Sequence, residues 1–151
     1  HRDINPQNVI VSEEGMVKIT DFGIAKDRNS VLTMTSEVMG TPCYMSPETF
    51  SSSKKIDHRS DIFSFGCLSY EFLTGRRPFE ADTTFGVMEM VKTSIPKILS
   101  KINSDIPQWL DKLVMCMLEK RPKDIPADFT KIIAIIDKKS AEPHPSPERT
   151  Q

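Results

Sequence analysis

Cysteine, tryptophan and glycine are all scarce in this sequence. The three cysteines, Cys43, Cys67 and Cys116, are an odd number at wide spacing. That excludes a disulfide framework as the basis of the fold, and no pair has the spacing of a metal knuckle. A reducing compartment follows, and the cytoplasm is the expected location. No apolar run approaches the ~18 residues a membrane span requires, so no membrane contact is expected from this segment. Neither charge sign dominates: 20 Lys+Arg stand against 21 Asp+Glu, a formal net charge of −1. A nucleic-acid binder normally carries a basic excess or stripe, so nucleic acid is not expected among the partners. There is no internal repeat. The first residue is His1 and no signal peptide precedes it, so the chain reads as a piece of a longer one.

What is present suits a packed domain. The 151 residues fit one domain, with 38% hydrophobic and 27% charged residues. Two β-rich runs, Asn8–Ser12 and Met16–Thr20, flank Glu13-Glu14-Gly15 and predict a hairpin. Residues 24–47 have no sustained period and contain Gly40-Thr41-Pro42. They predict a long loop, of the kind that usually carries function. A helix is predicted from Ser60, as N-cap, to a stop at Gly75, and it is apolar nearly all round and therefore buried. Further helices are predicted over Thr84–Thr93, Pro107–Glu119 and about Ala127–Lys138. Cys67 and Cys116 fall on these helices and are expected in the core. Ser140–Gln151, with Pro143, Pro145 and Pro147, reads as a disordered tail or linker. The fold class is thus α+β and mostly helical, with a short hairpin.

The polar residues around the hairpin fall into short motifs in a definite order. His1-Arg2-Asp3 opens the chain, and Asn8 follows Asp3 by five residues. Asp21-Phe22-Gly23 comes next, then Ser46-Pro47-Glu48, at separations of 18 from Asp3 to Asp21 and 27 from Asp21 to Glu48. Asp3 and Asn8 precede one strand and Asp21 follows the next, so all three sit at one end of the hairpin. Singly each triplet is weak, because an Asp in a loop is usually just solvated. In this order and spacing they resemble the C-terminal half of a eukaryotic-type protein kinase domain. Asp57-His58-Arg59-Ser60-Asp61 and Leu73-Thr74-Gly75-Arg76-Arg77-Pro78-Phe79 particularly resemble bacterial Ser/Thr members of that family.

The resemblance implies a kinase-like C-terminal lobe over residues 1–138, with the N-terminal lobe missing as a partner and 139–151 as the tail. It implies ATP and Mg²⁺ as cofactors and a protein Ser or Thr hydroxyl as the acceptor. Asp3 matches the catalytic carboxylate, and Asn8 and Asp21 match the ligands of metal and nucleotide. Thr41 matches a Ser/Thr-kinase residue that bonds near the catalytic acid. Gly23 lets the backbone turn sharply, and Asp61 matches a helix acid that accepts hydrogen bonds from the catalytic loop. Arg2 resembles the arginine of kinases regulated by loop phosphorylation, with Thr33 and Thr35 in the acceptor region. Two positions depart from the pattern. Asn5 stands where Ser/Thr kinases usually carry a Lys facing the transferring phosphate. Ile125 stands where the family usually has the Arg that pairs with the Glu matching Glu48, leaving Arg121 as a substitute or Glu48 more exposed. The chain alone is expected to be inactive. The alternative reading is a pseudokinase, a kinase-shaped binding or scaffolding module.

Overall fold

A computed structural model describes residues 1–21, 42–50 and 56–142. Gly23, Thr33, Thr35 and Thr41 lie outside the described residues, as does the chain beyond Glu142. A short 3₁₀ turn, Pro6–Asn8, leads into strand β1 (Val9–Val11), which pairs antiparallel with β2 (Val17–Ile19). The register sets Val9 opposite Ile19 and Val11 opposite Val17, so these four share one face. Two further 3₁₀ turns, Pro42–Tyr44 and Pro47–Phe50, precede four helices: α1 (Arg59–Thr74), α2 (Thr84–Thr93), α3 (Gln108–Met117) and α4 (Phe129–Ser140).

Helix α1 is the axis of the core. Its Ile62, Phe63, Cys67 and Tyr70 are buried, and α3 lies across it with Leu113, Val114 and Met117. A side chain at Gly66 would place its Cβ 2.9 Å from Met117 Cβ, so the bare backbone is what lets the two helices meet. Phe63 stacks on Phe79, with ring centroids 6.1 Å apart. Helix α4 is held through Ile132, 1% exposed, and through Phe129 set edge-on to Phe65 at 5.7 Å. Helix α2 rests on the Pro42–Tyr44 and Pro47–Phe50 turns. Among the described residues no helix is long and apolar enough to cross a membrane.

Helix α2 runs as the sequence predicts, and elsewhere the boundaries shift. Gly75 ends α1 with φ +69, the left-handed cap position that glycine adopts without strain. The start of α1 differs: His58 is the N-cap, and Ser60 is inside the helix with its hydroxyl 2.7 Å from Ser46 Oγ. Pro107 is the N-cap of α3 rather than its first residue. Helix α4 starts later because Asp128, extended at φ −160, accepts from Lys131 N at 3.0 Å. Helix α1 is not buried all round, since Phe72 is 87% exposed. It lies nine residues beyond Phe63, which at about 100° per residue is the opposite face. Cys116 is likewise exposed rather than core, because it stands about 200° round α3 from buried Val114.

Candidate active site

The loop before β1 is pinned from three sides. Asp61, in the first turn of α1, accepts from Arg2 N through Oδ1 and from the His1 amino nitrogen through Oδ2, both at 2.7 Å. The positive N-terminal end of α1 favours a carboxylate at that turn. His1 Nε2 lies 2.9 Å from Thr20 O, and Thr20 N donates to Asn8 O at 2.9 Å. These bonds set Asp21, the residue after Thr20, against the loop that carries Asp3 and Asn8. Arg2 (φ 68) and Asp21 (φ 53) both hold left-handed backbone, which non-glycine residues adopt only where the surroundings enforce it.

Within the loop, Asn8 Nδ2 donates to the Asp3 carboxylate at 3.0 Å and to Asp3 O at 2.8 Å. That commits the nitrogen and leaves the amide oxygen as the atom able to coordinate. Asn5 is 5% exposed. Its Oδ1 accepts from Gln7 N at 2.9 Å, capping the Pro6–Asn8 turn, and its Nδ2 donates to Asp3 O at 3.2 Å. Among the described residues no three His, Cys, Asp or Glu side chains are grouped to hold a metal ion. The donors the site supplies are the exposed Asp21 carboxylate and the Asn8 amide oxygen. Such hard oxygens suit Mg²⁺, which is commonly held by one or two carboxylates together with substrate phosphates.

A second set of ties, which the sequence reading missed, fixes the segment after Thr41 onto α1. Ser64 Oγ donates to Tyr44 O at 2.7 Å, and Ser46 Oγ lies 3.0 Å from Thr49 Oγ1. The Tyr44 hydroxyl donates to the Glu71 carboxylate, which also meets Arg77 Nε at 3.4 Å. Burial, with help from the Glu71 bond, pushes the Tyr44 phenol up, so it stays a donor at neutral pH. The signal for this network was Glu71 itself, an acid on an otherwise apolar helical stretch.

Glu48 is 3% exposed, and among the described residues neither of its carboxylate oxygens has a hydrogen-bond partner. Arg121 does not supply one: its Nε meets Asp124 at 2.5 Å at the surface. Ile125 is buried. Glu48 is therefore neither exposed nor compensated by Arg121.

The sequence model of the protein kinase domain matches residues 1–133. A probable serine/threonine-protein kinase of Clostridium perfringens is 40% identical over 147 residues, covering 95% of this chain and 21% of that protein. A second, from Clostridium acetobutylicum, is 39% identical over 127 residues, 82% of this chain and 19% of its own length. The serine/threonine-protein kinase PknL of Mycobacterium tuberculosis is 36% identical over 130 residues, 85% of this chain and 32% of its own. The chain thus spans between 19% and 32% of the length of these relatives.

Proposed function

This chain belongs to the protein kinase family, and from that premise we propose that the intact protein transfers the γ-phosphate of ATP to Ser or Thr hydroxyls of protein substrates. The supporting observation is the pinned loop: Asp61 holds Arg2 from below while Asn8 orients Asp3 from the side. In this reading Asp3 is the carboxylate that orients the acceptor hydroxyl and takes its proton. Asn8 Oδ1 and the Asp21 carboxylate would hold Mg²⁺, which would supply positive charge to offset that of the transferring phosphate. Asn8 has two jobs, since the same amide that offers its oxygen to the metal keeps Asp3 in place through its nitrogen. Thr41, outside the described residues, takes by its motif match the family role of bonding near the catalytic acid. The free cysteines among the described residues support a reducing compartment, and the reaction is read as cytoplasmic.

The test is phosphate transfer by the intact protein from labelled ATP with Mg²⁺. Asp3→Asn should lower kcat by about 10²–10⁴. Asp21→Asn should raise the Mg²⁺ concentration needed for half-maximal rate. Regulation follows the same reading: phosphate on Thr33 or Thr35 gives exposed Arg2 a charge-assisted partner and orders the loop. Mass spectrometry of active protein with neither threonine modified would sink that part. One observation favours a scaffolding role instead: Asn5 supplies no cation, and its amide oxygen and one of its two N–H bonds are taken by the loop backbone. ATP binding without transfer in the intact protein would decide for that reading.

A further inference from the structure

Among the described residues, Glu48 and half-buried Arg59, of opposite charge, each have buried polar atoms that no hydrogen bond reaches. Glu48, in the Pro47–Phe50 turn, is 3% exposed and neither carboxylate oxygen accepts a hydrogen bond. Arg59, the first residue of α1, has a buried Nε with no acceptor. A buried carboxylate without donors is one of the costliest arrangements a protein can hold, and a shut-off guanidinium N–H is costly too. The elements that carry them are already joined beside these residues. Ser46, two before Glu48, and Ser60, directly after Arg59, have their hydroxyl oxygens 2.7 Å apart.

Among the described residues, the charged or ring groups that could compete are engaged elsewhere. Arg121 is held by Asp124 at 2.5 Å. The His58 ring meets Ala127 O at 2.6 Å. On the acid side, Asp61 is filled by Arg2 N and the His1 nitrogen, and Asp57 Oδ1 accepts from Arg59 N at 2.8 Å. We propose that Arg59 is a positioning residue that closes on Glu48 as its counter-ion and fastens the Pro47–Phe50 turn to the first turn of α1. A guanidinium fork presents parallel donors that match both carboxylate oxygens at once. Because Asp61 sits in that same first turn, the pair fixes α1 against the substrate-side turns where α1 also carries the catalytic loop. The effect on catalysis rests on the kinase reading, and the pair itself does not.

The experiment is a double-mutant cycle in the intact protein with Glu48→Gln, Arg59→Met and both together. Each single change should lower Tm by about 6–20 °C, as breaking one side of a buried pair does. The double variant should fall little further than the worse single. Ile125→Arg, which offers a replacement cation, should recover at least half of the loss in Arg59→Met and should not raise Tm of the parent. Additive losses, a harmless Glu48→Gln, or a parent stabilised by Ile125→Arg would each overturn the pairing. In kinetics, Arg59→Met should lower kcat/KM for the protein substrate by up to about 10²-fold while KM for ATP holds, and Arg59→Lys should restore most of it. A lysine variant as impaired as the methionine one would overturn the positioning role. An intact protein that transfers no phosphate would fail the kinase reading alone, since the Tm cycle still decides the pair.

Discussion

At Asn5 the side-chain amide is divided between two backbone partners, Gln7 N and Asp3 O. A lysine there would give up both and gain a cation aimed at the transferring phosphate. Lost caps cost ~1 kcal/mol, so Asn5→Lys should lower Tm of the intact protein by a few degrees. A preorganised donor of this kind is worth about 10²–10³ in rate, and Asn5→Lys should raise kcat by at most the low end of that range. Steady-state rates at saturating ATP and Mg²⁺ check it, and an unchanged or reduced kcat refutes it. Lys120 poses a different residue-scale question. Its Nζ donates to Val91 O at 2.7 Å and stands 3.9 Å from the centroid of the Phe79 ring. Burial holds its pKa down at about 8, against the opposing pull of Cys67 and Glu119. The unfolded chain keeps that proton up to the ordinary lysine value of 10.5, so this group's contribution to stability rises with pH between about 8 and 10.5. The buried Cys67 thiol, held well above its ordinary value, opposes the trend above pH 9.0. Subtracting the Tm–pH curve of Lys120→Met from that of the parent should isolate the rise, and a flat difference would refute it. The residue types at Asp3, Asn8, Asp21 and Asp61 were legible in sequence because chemistry limits the choice. The double use of Asn8, the inward turn of Asn5 and the exposure of Cys116 were not, because side-chain direction depends on residues far away in sequence.

Among the elements, the amphipathic helices with clear end signals read best. Helix α2 has Thr83 as a capping side chain, accepting from Gly86 N at 3.0 Å, and its bounds are those predicted. Where two cap candidates compete, as Ser60 and His58 do, tertiary contact decides: Ser60 is more useful bonded to Ser46 than capping its own helix. The short 3₁₀ turns that mount the site were invisible, since three-residue pieces carry no periodicity. Helix packing carries its own prediction. Gly66→Ala would bring a methyl to 2.9 Å from Met117 Cβ, an atom bonded directly to its own backbone, and 3.1 Å from the Leu118 Cδ2 methyl. The α1–α3 crossing would have to widen, at a cost of about 1–3 kcal/mol. Urea unfolding of the intact protein should show a lower midpoint with an unchanged slope. A midpoint equal to the parent's would mean that α3 can shift freely.

For the molecule as a whole, the hairpin is where the fold is least self-sufficient. On the face shared by Val9, Val11, Val17 and Ile19, the last three are 62%, 61% and 45% exposed, and Ile10 on the other face is 55% exposed. Contiguous aliphatic surface of this kind marks a contact with something else or an aggregation liability. The 151-residue chain in isolation should therefore associate at micromolar concentration, and Val11→Thr with Val17→Thr should return it toward monomer. Sedimentation at several concentrations checks this, and a parent that stays monomeric with a sharp, reversible thermal transition refutes it. One feature of the site also bears on how the protein is made. The Asp61 carboxylate that seats Arg2 lies 59 residues downstream of it. At synthesis rates of about 5–20 residues per second, the loop leaves the ribosome roughly 3–12 s before its anchor exists. During that interval nothing holds Arg2 in its left-handed backbone. The loop that carries Asp3 and Asn8 is thus assembled late, as a by-product of docking α1, and a nascent chain stalled before Asp61 carries the whole motif without this anchor.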